Sequence, residues 1–194
     1  MRLSRPVILL ALLLPLSRTA RAGGPEIGAA APAFSLTTLD SKTFSLAEAT
    51  SRHKAVVVMF IATKCPYSNA YNDRMRDMAA VYEKQGVLFV GINSNKSEPA
   101  EEATEHAKKH GHTFPIMKDP GNKIADLYDA KRTPEVFLID REGKLRYHGR
   151  IDENYEDASK VTSPDLKNAL DSLLFGNPIA KAETKAFGCT IKRV

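Results

Sequence analysis

Apolar residues are concentrated in three short runs, at residues 56–61, 87–93 and 134–140, and most of these residues are β-branched or otherwise apolar. Runs of this length are too short to cross a membrane and are typical of strands buried on both faces of a sheet. Residues 66–84 and 97–110, which follow the first two runs, contain no glycine and have the start and stop signals of helices. This alternation predicts an α/β fold whose mixed central sheet is flanked by helices on both faces.

Shorter elements are predicted on either side of this core. Residues 33–44 alternate around a polar turn and predict an N-terminal β-hairpin, after which Ser45 caps a short helix. The third apolar run and residues 144–151 predict a second, antiparallel hairpin. A last helix is expected over residues 164–175, and an irregular C-terminal tail over residues 177–194.

The first 22 residues have the pattern of a secretory signal peptide, with early arginines, a short apolar run and small residues up to Ala22. We therefore expect an exported protein, periplasmic or secreted, that carries no membrane segment once this leader is removed. Residues 23–32 are interpreted as a flexible lead-in, residues 33–176 as one domain, and residues 177–194 as a tail that carries the second cysteine.

The basic balance of the chain comes largely from this leader. The formal net charge of +5 falls to +1 without the leader's four arginines, because the leader contains no acidic residue. A nearly neutral mature chain gives no reason to expect a nucleic-acid partner. The two cysteines, Cys65 and Cys189, are too few for a scaffold built from disulfides, but free thiols do not persist passively in an oxidising compartment.

Cys65 stands where the first buried strand ends and a helix begins, with Pro66 at the first helical position. Unsatisfied backbone N–H groups and the positive end of the helix dipole lower the pKa of a thiol at such a place, and we expect Lys64 to add a further positive charge. Because the thiolate is the nucleophilic form of cysteine, the sequence predicts a reactive sulfur at Cys65.

Five motifs follow one another along the chain: VVVMFIATKCPYSNAYNDRM, VLFVGINSN, RTPEVFLID, HGRID and GCTIK. Together they resemble the thioredoxin superfamily, and within it the peroxiredoxin-like branch, the alkyl hydroperoxide reductase/thiol-specific antioxidant group. The resemblance implies a thioredoxin-like fold, Cys65 as the nucleophilic thiol, and Thr133 and Pro134 as a cis-proline loop that holds the substrate opposite the sulfur. It implies no cofactor, since sulfur alone carries the chemistry.

Two positions depart from the pattern of redox-active thioredoxins. Ser68 stands three residues after Cys65, where those proteins have a second cysteine, and Arg132 stands before Thr133, where related redoxins often have one. A Cys-x-x-Ser site forms a mixed disulfide but does not resolve it locally. We therefore hypothesise that the tail folds back and that Cys189 resolves the mixed disulfide, with an external thiol as the alternative.

Two functions from different classes remain open. In the first, the protein is a thiol-disulfide oxidoreductase-like enzyme that exchanges with a protein or small-molecule disulfide or thiol and with an external thiol reductant. Cys65 and Cys189 are then the catalytic residues, and Thr133, Pro134 and Tyr67 contact the substrate. In the second, a non-catalytic redoxin-fold module binds a partner, and a structural Cys65–Cys189 disulfide fixes its tail.

Two further activities are weaker hypotheses. Weak peroxidase activity is less favoured because Val58 and Ala62 replace the proline and the threonine or serine that peroxiredoxins place before their attacking cysteine. His106, His110 and His112 have the spacing of metal ligands. Their position among lysines at a helix end instead predicts a solvated turn, and no metal site is expected.

Overall fold

The computed structural model describes residues 23–193, so the predicted signal peptide lies outside the described residues. The strands and helices follow in chain order: β1 (Ser35–Thr37), β2 (Thr43–Ser45), α1 (Leu46–Arg52), β3 (Ala55–Phe60), α2 (Pro66–Ala70), α3 (Asn72–Glu83), β4 (Val87–Asn93), α4 (Ala100–Lys109), β5 (Ile116–Lys118), α5 (Lys123–Leu127), β6 (Arg132–Thr133), β7 (Glu135–Asp140), β8 (Leu145–Gly149), α6 (Asp165–Leu174) and β9 (Cys189–Thr190). Among these residues, no helix has the length and apolar character needed to span a bilayer.

Five strands form the central sheet, in the order β5-β4-β3-β7-β8. Strand β3 pairs in parallel with β4 and antiparallel with β7, and β7 pairs antiparallel with β8. All six residues of β3 are buried, as are all six of β7, because each strand is covered on both faces. The predicted mixed α/β sheet, thioredoxin-like in its layers, and the N-terminal hairpin of β1 and β2 are confirmed.

Helices cover both faces of the sheet and divide the core in two. Apolar residues of α3 and α6 pack on one face against the side chains that β3, β4 and β7 direct that way. Residues of α1 and α5 pack on the other face. Burial at about 25 cal/mol per Å² of apolar surface makes these two layers the main source of stability. They hold the carboxyl end of β3, where Cys65 follows, in a fixed place.

The helix after Cys65 differs from the prediction. The sequence predicts one helix over residues 66–84, but the structure contains α2 and α3 with a break at Tyr71. The Tyr71 N–H bonds to the carbonyl of Ser68, three residues earlier, which tightens the last turn of α2. The Tyr71 ring is 1% exposed and lies in the core, so its burial sets the position of the break.

Both ends of the described chain are held more firmly than their composition suggests. The lead-in, expected to be flexible over residues 23–32, bonds to the turn before β8: Ala31 N donates to Gly143 O at 2.8 Å and Leu145 N donates to Ala29 O at 2.9 Å. The tail, expected to be irregular, includes β9, which pairs antiparallel with β6.

Candidate active site

Cys65 is the N-cap residue of α2, and Pro66 occupies the first helical position as predicted. Its Sγ accepts a hydrogen bond from Ser68 N at 3.4 Å, in the manner of a capping side chain, and donates one to Thr133 O at 3.2 Å. The residue is 3% exposed. The sulfur therefore lies at a helix start, as the sequence predicts, but it is buried rather than open to solvent.

The pKa of the Cys65 thiol lies below its ordinary value. Burial opposes ionisation, but polar contacts with the Cys189 and Thr133 side chains and with the backbone N–H of Ser68 outweigh it. Lys64, expected to supply a positive charge, does not contribute. Its ammonium group pairs with Glu102 at 2.8 Å and donates to Ser97 O at 2.9 Å, and it is not among the groups that lower the pKa of Cys65.

The tail covers Cys65. Thr133 lies opposite Cys189 in the β6–β9 pair, and Arg132 lies opposite Thr190. The Thr133–Pro134 peptide bond is cis, as the resemblance implies. Gly188 has a φ of +139°, and a Cβ atom there would lie 2.1 Å from Thr133 O, so only glycine permits this close approach.

Cys189 differs from Cys65 in exposure and in acidity. Both cysteines are free thiols, but Cys189 is partly exposed whereas Cys65 is buried. Burial and the neighbouring Cys65 sulfur, which favours a proton on Cys189 when it is itself ionised, raise the pKa of Cys189 to about 11. The two side chains thus lie close enough for each to change the acidity of the other, with the proton on Cys189.

Two anchors hold the tail on either side of Cys189. Before it, His148 N donates to Ala182 O at 2.9 Å and Thr184 N donates to His148 O at 3.0 Å, along the edge of β8. After it, Ile191 is 3% exposed and Lys192 N donates to Asn95 Oδ1 at 2.7 Å. The fold-back that the sequence only suggested is therefore an integral part of the structure.

Three aromatic rings border the two cysteines. The ring centroids of Tyr67 and Tyr155 lie 4.4 Å apart, and Phe187 of the tail lies 6.3 Å from Tyr67 and 6.1 Å from Tyr155. Tyr67, expected to contact the substrate, packs here against Phe187 of the protein's own tail.

A buried cluster that the sequence did not indicate fixes Tyr155. Asp152 is 4% exposed. It accepts hydrogen bonds from Tyr71 Oη at 2.8 Å and from Arg74 Nη1 at 2.7 Å. Arg74 also donates to the backbone carbonyls of Asn154 and Tyr155. This ties the loop after β8 to α2 and α3, beneath the aromatic rings.

Glu98 holds the loop before Cys65, which sequence reasoning also missed. Its carboxylate is 2% exposed and accepts from Thr63 N at 2.8 Å and from Lys64 N at 3.2 Å. It further accepts from Asn93 Nδ2 and Asn95 Nδ2. Because Asn95 also binds Lys192 of the tail, one network positions the approaches to both cysteines.

The three histidines form a packed cluster. The His106 and His110 ring centroids lie 4.4 Å apart, and His112 stacks on Phe114 at 4.9 Å. Burial, together with the charges of His106 and His110, lowers the pKa of His112 to about 4. No group of three donors suited to a metal ion is found within residues 23–193. The prediction of a solvated turn is only partly correct, because the His112 side chain is partly buried.

The surroundings of Cys65 differ from a peroxide-binding site. Val58 is fully buried in β3 and Ala62 offers no hydroxyl. Thr63, the next residue, carries a hydroxyl, but this hydroxyl donates to Glu102. Position 62, where the resemblance to peroxiredoxins would require a threonine or serine, thus offers no hydroxyl.

Comparisons with known proteins identify relatives of this chain. The chain is 32% identical to a thiol-disulfide oxidoreductase ResA of Geobacillus thermodenitrificans over 87% of its length and 94% of that protein. The crystal structure of a hypothetical protein from Sinorhizobium meliloti matches with a TM-score of 0.81 and 32% identity, covering 91% of this chain and 99% of that one.

A solved structure with lower sequence identity has the same fold. A putative thiol:disulfide interchange protein DsbE from Chlorobium tepidum matches with a TM-score of 0.61 and 23% identity, over 79% of this chain and 98% of that one, and shows the fold alone. Residues 27–148 match the AhpC/TSA family model, a segment that includes Cys65, Thr133 and Pro134. The chain belongs to the AhpC/TSA family.

Proposed function

We propose that this protein is a thiol-disulfide oxidoreductase whose redox pair is Cys65 and Cys189. The observation that carries the proposal is the β6–β9 pairing, which brings Cys189 opposite Thr133 while Thr133 O accepts a hydrogen bond from Cys65. The similarity to an oxidoreductase named ResA over most of both chains supports it.

The cycle begins with the Cys65 thiolate, which the Ser68 N–H and its other polar neighbours stabilise. The thiolate attacks one sulfur of an external disulfide, forms a mixed disulfide and releases the other sulfur as a thiolate. Cys189, once deprotonated, then attacks Cys65 Sγ, so that the substrate's second sulfur leaves. Two electrons have moved to the substrate, and Cys65 and Cys189 are joined.

The residues around the pair have supporting roles in this scheme. In this thiol form the tail is paired with β6, so a substrate reaches Cys65 beside Thr133, Pro134 and Tyr67 only when the segment between the two tail anchors lifts away from β6. Glu98 fixes the loop that precedes the nucleophile. The chemistry needs no cofactor beyond sulfur.

We also propose that the protein works outside the cytoplasm and that residues 1–22 are removed as a leader. The reason is the leader-like sequence together with a thiol pair whose use requires an oxidising or redox-controlled compartment. Residues 33–176 then form the thioredoxin-like domain, and residues 177–194 form the tail that supplies the second sulfur.

The alternative is a binding module in which the same two cysteines form a permanent disulfide. The lowered pKa of Cys65 favours the enzyme, because a low-pKa sulfur is a good leaving group and makes a disulfide easy to reduce. The buried position of Cys65 favours the binding module, because it would protect a Cys65–Cys189 disulfide from reduction. Reactivity in the native state therefore separates the two.

The test compares the wild type with Cys65→Ser and Cys189→Ser variants in the reduction of insulin and of oxidised glutathione. Turnover is measured with dithiothreitol as the electron source, after subtraction of its uncatalysed rate, and mixed disulfides are trapped in its absence. We expect turnover by the wild type, none by Cys65→Ser, and a stable mixed disulfide on Cys65 in Cys189→Ser. Wild-type activity equal to that of Cys65→Ser would contradict the proposal. A permanent staple predicts that neither substrate reacts until the protein unfolds.

A further inference from the structure

We propose that an external thiol reduces the oxidised protein by attacking Cys189, and that Cys65 is the sulfur it displaces. This inference rests on the proposed Cys65–Cys189 redox pair and assigns which of the two sulfurs the reducing partner meets.

The first argument is access. Cys65 is 3% exposed and lies beneath the β6–β9 pair, whereas Cys189 is partly exposed on the outer strand of that pair. While the two thiols are free, only the pairing of β9 with β6 keeps the strand that carries Cys189 over Cys65. Once a bond joins the two sulfurs, it holds this strand in place over Cys65. Oxidation therefore prevents the tail from lifting, and a thiol cannot reach Cys65 by that path.

The second argument is the firmness of the cover on both sides of the bond. The tail is fixed before Cys189 by hydrogen bonds between Thr184 and His148, and after it by Ile191, which is 3% exposed. Gly188 packs directly on the backbone of Thr133, so that no gap remains between the tail and β6 at this point. An incoming thiol therefore reaches the disulfide from the outside, where Cys189 lies.

The third argument is the asymmetry of the two leaving groups. Thiol-disulfide exchange is faster when the displaced sulfur has the lower pKa. The Ser68 N–H bonds to Cys65 Sγ and stabilises it as an anion, and the pKa of Cys65 lies below its ordinary value. Burial, the largest cause, raises the pKa of Cys189 instead. Attack on Cys189 therefore displaces the better leaving group.

The reaction proceeds in two exchanges. A first thiolate attacks Cys189 Sγ, the Cys65–Cys189 bond breaks with its electron pair on Cys65 Sγ, and the thiol becomes joined to Cys189. A second thiolate attacks the sulfur of the first, which forms an external disulfide and releases Cys189 as a thiolate that takes a proton from water. Two external thiols are oxidised and the protein's disulfide is reduced.

The test maps the first exchange. Oxidised full-length wild-type protein is mixed with reduced glutathione, quenched with acid after increasing times, and its free thiols are blocked with N-ethylmaleimide under denaturing conditions. Peptide mapping then locates both labels. We expect that at the earliest times at least ten molecules carry glutathione on Cys189 and maleimide on Cys65 for each one labelled the opposite way.

The outcomes separate the inference from the proposed function. Glutathione on Cys65 at the earliest times, with maleimide on Cys189, would overturn the inference and leave the redox pair standing. If mild oxidation does not join the two cysteines, the proposed function fails, and the inference fails with it. A Cys65→Ser variant charged with glutathione on Cys189 provides the mass standard for the expected adduct.

Discussion

Cys189 lies directly opposite Thr133 in the antiparallel β6–β9 pair, and the carbonyl oxygen of Thr133 accepts a hydrogen bond from Cys65 Sγ at 3.2 Å. Thr133 of the cis-proline loop thus contacts the sulfur of Cys65 and also pairs with Cys189, which carries the second sulfur. In thioredoxin-like proteins that exchange with protein substrates, we expect an extended segment to use this edge. Here the protein's own tail occupies it.

The acidity of Cys65 depends on its neighbour. We expect Cys189→Ala to raise the pKa of Cys65, because the mutation removes a polar side chain that stabilises the Cys65 thiolate. Cys189→Ser retains a hydroxyl donor and should keep the pKa lowered. Titration of thiolate absorbance at 240 nm measures both. Equal pKa values for Cys65 in the two variants would show that the contact has no influence.

The close approach at Gly188 sets the distance between the sulfurs. Gly188→Ala places a Cβ against Thr133 O and should move Cys189 away, which slows formation of the Cys65–Cys189 disulfide on the order of 10- to 100-fold. Gly176→Ala is the matched control, since Gly176 also has a positive φ but has no atom within 4 Å of the added Cβ. Oxidation kinetics followed by gel shift distinguish them, and similar rates would refute this role for Gly188.

The buried carboxylate of Glu98 holds four N–H donors. In Glu98→Gln an NH2 group, which cannot accept hydrogen bonds, replaces one of the carboxylate oxygens that face these donors. The mutation should lower the free energy of unfolding by about 1–3 kcal/mol. Glu101→Gln, an exposed change in α4, should leave stability within experimental error. Urea denaturation followed by circular dichroism measures both. A Glu98→Gln protein as stable as the wild type would mean that the network is dispensable.

Acid sensitivity should come in part from His112. Its pKa is lowered to about 4 from an ordinary 6.5 by burial and by the nearby charges of His106, His110 and Arg76. The unfolded chain therefore binds more protons than the folded one between these pH values, so stability falls as pH drops through this window. His112→Phe, which keeps the stacking on Phe114, should reduce this loss. Thermal unfolding from pH 7 to pH 4 tests it, and parallel curves for both proteins would contradict it.

The sequence predicts the sheet, its order of elements and the place of Cys65 because these follow from short-range signals. The buried run in β3 and Pro66 after the cysteine are such signals, and both predictions are confirmed. The break at Tyr71 was missed because it depends on the burial of one ring against Asp152, which is 81 residues away.

The electrostatics of the site were harder to predict. Lys64 is adjacent to Cys65 in sequence, yet its charge is used by Glu102. Glu98 resembles an ordinary acidic residue at the start of a helix, and its role as a buried acceptor appears only when the loop before Cys65 folds over it. In both cases the partner lies more than thirty residues away, beyond the reach of local patterns.

A redox titration of the native protein tests the central claim most directly. Full-length protein is equilibrated with glutathione at a series of ratios of reduced to oxidised form, quenched with acid, and mapped for a Cys65–Cys189 disulfide. We predict one reversible transition in which both cysteines change together, and which is lost in Cys65→Ser and in Cys189→Ser. Cysteines that stay free at every ratio, or a disulfide that persists until the protein is unfolded, would contradict the account.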